Sequence, residues 1–193
     1  MNKRSGEETR DKILAAALLV FTDQGYDAAS MRMISQAAGI SVGGLYLYFK
    51  NKTELYLTIL KEWLDDLQRH TIESLAKARD PREEIIAFLS VTLQYARDHR
   101  EVLILQRREM GCNRGSEVKQ QFFQARRSML ADIIRRGIEA RTFKICDPDE
   151  AARIIFNLIR GFVMSFSIDE EALFSTDACV DLILNGLARR NDA

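Results

Sequence analysis

The chain has 193 residues, a length that allows one or two domains with a hydrophobic core. Lys and Arg together number 28, as do Asp and Glu, so the formal net charge is zero and the bulk basic character of many nucleic-acid-binding proteins is excluded. Only two prolines occur, and long runs rich in Ala, Leu, Glu, Arg and Lys favour helix throughout.

Three further features indicate a cytoplasmic protein. Residues 1–10 are polar and no apolar segment follows them, so we expect no signal peptide. The most apolar stretch, residues 154–168, is interrupted by polar side chains and is too short to span a bilayer. The three cysteines are odd in number and widely spaced, which favours reduced thiols over a disulfide framework. Cys112 lies near several arginines, and this setting fits an inert thiol as well as a redox-sensing one.

The N-terminal third of the chain predicts four helices in quick succession. Apolar residues recur at helical spacing over residues 13–21, and Gly25 is suited to end that helix. Ser30 and Ser41 are suited to begin two very short helices. Asn51 then begins a longer helix that continues to about residue 78.

The rest of the chain predicts longer and more apolar helices. In the pairs Asp80-Pro81 and Asp147-Pro148, Asp fits the N-cap position and Pro fits the first turn. No segment alternates apolar and polar residues as a half-buried strand would. We therefore predict an all-α protein of about nine helices, with the short helices in the N-terminal region and a helical bundle after them.

The most informative stretch is residues 30–55, where two short helices are joined by a three-residue turn that contains Gly39. This arrangement is a helix-turn-helix, whose second helix enters the DNA major groove and must carry a small or hydrogen-bonding outer face. Leu45 and Phe49 are predicted to face inwards and anchor that helix. The capping residues leave amide N–H groups pointing outwards, where a phosphate can bind.

The same stretch resembles the TetR family of bacterial regulators. The resemblance rests on the run G-I-S-x-G-x-L-Y-x-Y-F-x-N-K-x-E-L at residues 39–55, preceded by S-M-x-x-I-S-x-A-A at residues 30–38. The pattern I-L-x-A-A-x-x-x-F-x-x-x-G-Y of the family's first helix stands at residues 13–26. The resemblance implies a three-helix DNA-binding domain over residues 1–52 and a helical effector-binding and dimerisation domain over residues 53–193.

The resemblance also implies DNA contact by eight residues of this stretch. Some stand where family members touch the phosphate backbone, some where they touch the groove, and one where some members place a base-reading arginine. The backbone set is Tyr46, Tyr48 and Lys52 with the cap Ser41, the groove set is Val42, Gly43 and Gly44, and the base-reading candidate is Arg32. A bidentate contact between arginine and guanine gives about 1–3 kcal/mol of discrimination.

Two positions depart from the family pattern. Many members carry Lys or Arg at the position of Val42, and Thr or Ser at the position of Gly44. The predicted recognition helix is therefore poor in hydrogen-bonding side chains. Base reading would then depend on Arg32, on apolar contacts with thymine methyl groups and on DNA shape.

By the same resemblance, the middle helices enclose a pocket for a small-molecule effector. Such pockets are mostly apolar with a few placed polar groups. The candidate lining residues are Phe88, Thr92, Tyr95, Phe122, Phe123, Arg126, Met129, Phe156 and Arg160. Each aromatic residue also fits an ordinary core, and an arginine on an apolar helix can reach solvent, pair with an acid or hold an anionic ligand.

The predicted helix over residues 147–168 is apolar on nearly every side and needs a second surface to cover it. In the family, a homodimer provides that surface through a four-helix interface. Two recognition helices about 34–36 Å apart then read a palindrome. The resemblance thus implies a homodimeric regulator, usually a repressor that an effector releases from a palindromic operator in double-stranded DNA.

Two other functions are compatible with parts of the sequence. The bare surface of residues 42–44 and the zero net charge also fit a helical small-molecule-binding module with weak or lost DNA specificity. An enzyme ranks last, because no nucleophile stands with a base and His70 and His99 are isolated. We therefore expect no catalytic residue, no metal ligand and no cofactor.

Overall fold

The computed structural model describes residues 3–109, 113–169 and 175–185, and all regular structure in these ranges is helical. In chain order the helices are α1 (Lys3–Gln24), α2 (Met31–Ala37), α3 (Val42–Tyr46), α4 (Lys52–Leu75), α5 (Pro81–Asp98), α6 (Arg100–Arg108), α7 (Ser116–Glu139), α8 (Pro148–Phe166) and α9 (Thr176–Asn185). The predicted all-α fold class is confirmed. Cys112, considered above for redox sensing, lies outside the described residues.

The capping side chains begin the helices where the sequence predicts. The Ser30 hydroxyl accepts the Met33 N–H at 3.2 Å at the start of α2. The Asp80 carboxylate accepts the Glu83 N–H at 2.8 Å at the start of α5. Asp147 accepts two backbone N–H groups at 2.9 and 3.2 Å before α8. These bonds satisfy amide groups that the first turn of a helix leaves without an intrahelical partner.

The described chain divides into two compact units. The first comprises the described residues up to Asp65 together with those of His99–Val118, and the second comprises Asp66–Asp98 and the described residues from Lys119 onwards. Helix α4 contributes residues 52–65 to the first unit and residues 66–75 to the second. The domain boundary between residues 52 and 53 stays a prediction.

The first unit has a core in which its short helices are held by large side chains. Phe21 of α1, Ile34 of α2, Leu45 of α3 and Tyr56 of α4 are all completely buried. The rings of Phe21, Tyr56 and Tyr26 lie within 5.5–6.3 Å of one another, centroid to centroid. Aromatic rings at this spacing pack favourably, so one cluster joins α1, the turn after it and α4.

The second unit has its own core between α5, α7 and α8. Its centre is a group of buried apolar side chains against which partly buried residues of α4 and α9 also pack. The central members are Ile85, Phe88, Leu89, Leu130, Ala131, Ile133, Ile134, Ala152 and Ile159. Among the described residues, no helix combines the length and apolar character that crossing a bilayer requires.

A close contact in the second unit gives a stability prediction. The N–H groups of Thr142 and Phe143 both donate to the Gly137 carbonyl, at 2.8 and 3.0 Å, and a Cβ at Gly137 would collide with the Phe143 ring. We expect Gly137→Ala to lower the free energy of unfolding by about 1–3 kcal/mol in urea unfolding, because the core would be overpacked. In a Phe143→Leu background the same substitution should cost clearly less, and an equal cost in both backgrounds would contradict this explanation.

Candidate functional site

The helix-turn-helix forms as the sequence predicts. Gly39 ends α2 with a φ of 67°, a left-handed conformation that favours glycine, and Ile40 donates its N–H back to the Ser35 carbonyl at 3.0 Å. Ser41 then caps α3, since its hydroxyl accepts the Gly44 N–H at 3.0 Å. Arg32 lies exposed on α2.

The second helix of the motif presents an apolar surface to solvent. Leu45 is completely buried and Phe49 is 3% exposed, so both anchor the helix as predicted. Val42, Tyr46 and Leu47 are instead 39%, 52% and 83% exposed. Three exposed apolar or aromatic side chains within six residues, on a unit that has its own buried core, are typical of a binding surface.

The two glycines of α3 differ in their relation to the fold. A Cβ at Gly44 would lie 3.1 Å from the Ser41 hydroxyl oxygen, so glycine at this position leaves room for the cap. A Cβ at Gly43 would meet nothing within 4 Å. Packing within this chain therefore does not require glycine at Gly43, which exposes helix backbone on the outer surface of α3.

Lys52 is held by the turn that follows α1. Its ammonium group donates to the carbonyl oxygens of Tyr26, Asp27 and Ala29 at 2.8, 3.0 and 3.1 Å. The ammonium also lies 4.6 Å from the centre of the Tyr26 ring. Because lysine has three N–H donors, contact with a phosphate would require at least one of these bonds to open or be shared. The sequence did not predict these hydrogen bonds of Lys52.

The start of α4 explains the spacing of the N-K-x-E motif. Asn51 accepts the Glu54 N–H at 2.9 Å, and Glu54 in turn accepts the Lys50 N–H at 2.7 Å. This reciprocal arrangement resembles a capping box, in which side chains at the two ends of the first turn satisfy backbone N–H groups. Tyr48 lies half-buried in the turn that precedes it.

Most of the predicted effector-binding residues are brought together in the second unit. Phe88, Thr92 and Phe122 surround Arg126, and Phe123 packs against Phe122, Phe156 and Arg160. We call this group the arginine–aromatic cluster, and its members are Phe88, Thr92, Phe122, Phe123, Arg126, Phe156 and Arg160. Met129 packs against the central core group, to which Phe88 also belongs.

Tyr95 faces a different set of polar groups. Its hydroxyl donates to the Asp66 carboxylate at 2.9 Å, and its ring lies 5.8 Å from that of His70. Burial and the neighbouring Asp66 carboxylate raise the pKa of Tyr95. For Asp66 the largest influence is burial, which raises the pKa, but hydrogen bonds from Tyr95 and Arg69 together with the charges of His70 and Arg69 outweigh it, and the net pKa is lowered.

Two residues that contact the arginine–aromatic cluster were not predicted from the sequence. Thr71 of α4 accepts a hydrogen bond from Arg126 at 2.9 Å, and the Arg127 guanidinium lies 5.9 Å from the Phe156 ring. Thr71 follows two polar residues in the sequence, so no local pattern distinguishes it from a surface threonine. Only the packing of α4 against α7 within this unit reveals its role.

Comparison with known proteins gives a match to one family. Residues 13–59 match the sequence model of the bacterial regulatory proteins, tetR family. The HTH-type transcriptional repressor KstR2 of Mycolicibacterium smegmatis is 29% identical over 156 residues, covering 78% of this chain and 74% of the relative.

Solved structures extend the similarity beyond the DNA-binding region. The TetR family transcriptional regulator PfmR from Thermus thermophilus matches with a TM-score of 0.77 and 28% identity, covering 93% of this chain and 97% of PfmR. The transcriptional regulator FadR from Bacillus subtilis, solved in complex with stearoyl-CoA, matches with a TM-score of 0.75 over 92% of this chain and 98% of FadR. At 22% identity, the likeness to FadR shows a shared fold.

The contacts of Lys52 lead to a prediction about the stability of the first unit. We expect Lys52→Met to lower the free energy of unfolding by about 1–3 kcal/mol, because three bonds to backbone carbonyls are lost. Thermal or urea unfolding measures this change. Lys50→Met is the matched control, since Lys50 is an exposed lysine two residues away, and it should change stability by less than about 0.5 kcal/mol. Equal effects of the two substitutions would show that the carbonyl bonds contribute little.

Proposed function

The chain belongs to the TetR family of bacterial transcriptional regulators, and from this premise we propose that it represses transcription until a small-molecule effector releases it from a palindromic operator. Its relatives and structural neighbours are transcription regulators, so the prediction that it is not an enzyme is confirmed. DNA binding belongs to the family as a whole. The repressor role, the effector and the palindrome are our proposal, and the name of the repressor KstR2 supports the first of them.

The observation that carries the proposal is the exposed apolar surface of α3, together with the exposed Arg32 on α2. Val42, Gly43 and Gly44 would approach the major groove closely, with apolar contacts to thymine methyl groups. Arg32 would read a base edge. Because α3 offers few hydrogen-bonding side chains, DNA shape would contribute to the choice of operator.

Contacts with the phosphate backbone would come from residues around the recognition helix. Tyr46 is half-exposed and its hydroxyl can donate to a phosphate oxygen. Tyr48 and the N-terminal turn at Ser41 would add further donors. Lys52 would contribute its charge from behind these groups, since its N–H donors are bonded to the 26–29 turn in the free protein.

We propose that the active form is a homodimer built on α8 and α9. One side of α8 is buried in its own unit through Ala152, Phe156 and Ile159. Apolar side chains also lie on its exposed side, where Ile154 and Leu158 are 54% and 55% exposed. A second copy would cover this side and pair two recognition helices on one palindrome.

The effector would bind in the domain that we assign to residues 53–193, with residues 1–52 as the DNA-binding domain. The candidate pocket residues are those of the arginine–aromatic cluster together with Tyr95 and Met129. The stearoyl-CoA bound to FadR supports an acylated or otherwise amphipathic effector as the first class to test. As a regulator of bacterial transcription, the protein would act in the cytoplasm.

The direct test is a gel-shift assay on the DNA upstream of the gene that encodes this chain. We expect sequence-preferring binding that weakens with salt, and the Gly43→Ala variant should bind at least about tenfold more weakly because the added methyl group keeps α3 from the groove. The same substitution should leave thermal stability unchanged or raised, since alanine favours a helix over glycine.

Two results would decide against this function. Salt-sensitive but sequence-indifferent binding would favour the alternative, a helical ligand-binding module with weak DNA specificity, which the bare α3 surface also fits. Full operator affinity of Gly43→Ala would show that α3 does not approach the groove closely. Transcription from the operator in a reconstituted system, with and without the chain, separates repression from activation.

The dimer proposal gives its own prediction. Leu158→Glu should convert the dimer to a monomer in sedimentation equilibrium and weaken operator binding, because a charge cannot be buried between two apolar surfaces without a partner. Ile145→Glu is the control, since Ile145 is 92% exposed and lies between α7 and α8. A monomeric native protein, or a Leu158→Glu variant that remains dimeric, would contradict the proposed interface.

A further inference from the structure

Arg126 is the largest side chain in the described structure that is almost completely buried. It lies on α7 and is 1% exposed. Two other arginines of the same helix have acidic partners, since Arg135 pairs with Asp132 and Arg136 pairs with Glu84. Arg126 has no carboxylate within ion-pair distance in the ranges that the structure describes.

A buried charge without a counter-ion opposes folding, because water solvates it better than the protein does. Burial lowers the pKa of the Arg126 guanidinium to about 10, so the group still carries its proton at neutral pH. The fold therefore bears a positive charge that it does not neutralise with any described acidic residue. Such an arrangement is expected where the counter-ion arrives with a ligand.

The hydrogen bonds of Arg126 use only part of the donor capacity of its guanidinium. The ring centres of Phe88 and Phe122 lie 4.3 and 5.5 Å from its central carbon. The Nη1 of Arg126 donates a hydrogen bond to the Thr71 hydroxyl, and its Nη2 donates one to the Thr92 hydroxyl. These two bonds use two of the five N–H donors that an arginine side chain has. A planar set of donors of this kind matches a carboxylate or a phosphate.

Two more arginines lie beside the aromatic rings of the cluster, Arg127 partly buried and Arg160 exposed. The guanidinium of Arg160 lies 4.6 Å from the Phe123 ring, and that of Arg127 lies 5.9 Å from the Phe156 ring. Neither makes an ion pair with a described residue. The ring centres of Phe122 and Phe123 lie 5.8 Å apart, and those of Phe123 and Phe156 lie 5.7 Å apart. These rings give the cluster an apolar side next to its cations. This combination suits a molecule with an anionic head and an apolar body.

We propose that Arg126 binds the carboxylate or phosphate group of an amphipathic effector whose apolar chain packs among Phe122, Phe123 and Phe156. The inference rests on the proposed function, because it names the chemical class of the effector in that same site. Arg126 is then the residue that selects an anion over a neutral molecule of the same shape.

The two threonine hydroxyl groups that accept hydrogen bonds from Arg126 do not need it as a partner. The Thr71 hydroxyl donates to the Leu67 carbonyl at 2.8 Å, and the Thr92 hydroxyl donates to the Phe88 carbonyl at 2.6 Å. Both hydroxyl protons are thus satisfied without Arg126. Methionine at this position would fill similar space, remove the buried charge and leave no donor without an acceptor.

The test uses three probes with the same twelve-carbon chain, which are laurate, dodecyl phosphate and 1-dodecanol, all below their micellar or aggregation concentrations. Thermal unfolding is measured for the full chain and for the Arg126→Met variant, with Arg135→Met as the control that removes an exposed charge from the same helix. We expect at least one anion to raise the Tm of the native chain and 1-dodecanol to leave it unchanged. The larger shift of the two anions identifies the head group as carboxylate or phosphate.

Arg126→Met should have an unchanged or higher Tm without probe and should lose the response to anions, with affinity reduced by about tenfold or more. Arg135→Met should keep the response. Equal shifts with the alcohol and the anions, no shift with any probe, or an anion response that survives in Arg126→Met would overturn the proposal. The first comparison needs no variant, so it holds even if Arg126→Met folds poorly.

Operator binding by the probe-free protein separates this inference from the proposed function. A chain that binds its operator but does not distinguish anions from the alcohol contradicts the role of Arg126 alone. A chain that binds no operator contradicts the proposed function, and the thermal shifts still decide whether Arg126 binds an anion.

Discussion

The helix-turn-helix of this protein depends on a second helix that is too short to keep its conformation alone. Helix α3 has five residues, two of them glycine, and an isolated helix of that length is unstable in water. Its conformation comes from the burial of Leu45 and Phe49 and from the cap at Ser41. The outer surface can therefore be bare and apolar, because the anchoring groups all lie on the inner side.

The hydrogen bonds between Lys52 and the turn at residues 26–29 also stabilise the helix-turn-helix region. These bonds join the turn that follows α1 to the first residue of α4, so those two parts of the first unit are fixed to each other. The aromatic contacts of Tyr26 with Phe21 and Tyr56 reinforce that connection. The charge of Lys52 thus serves the fold through backbone carbonyls, whereas the charge of Arg126 in the second unit is buried with hydroxyl groups and aromatic rings around it and no described carboxylate beside it.

The sequence predicted those features that depend on neighbours in the chain. Helix periodicity, the caps at Ser30 and Asp147 and the inward direction of Leu45 are all set within a few residues, and the structure confirms them. The arginine–aromatic residues were also proposed together, but through a family resemblance. The hydrogen bond between Arg126 and Thr71 could not be predicted, because 55 residues of chain separate the two. The same holds for the bond between Lys52 and the Tyr26 carbonyl, which are 26 residues apart.

We propose that α3, as the recognition helix, is already held in place in the free protein, before any DNA is bound. Amide hydrogen exchange of the free protein tests it at Leu45, Tyr48 and Phe49, whose N–H groups donate to backbone carbonyls at 3.0–3.1 Å. We predict that these amides exchange as slowly as those of the buried residues of α1, because all of them open only when the first unit unfolds. Exchange at the rate of an unfolded chain would contradict the claim and would mean that DNA itself orders the helix.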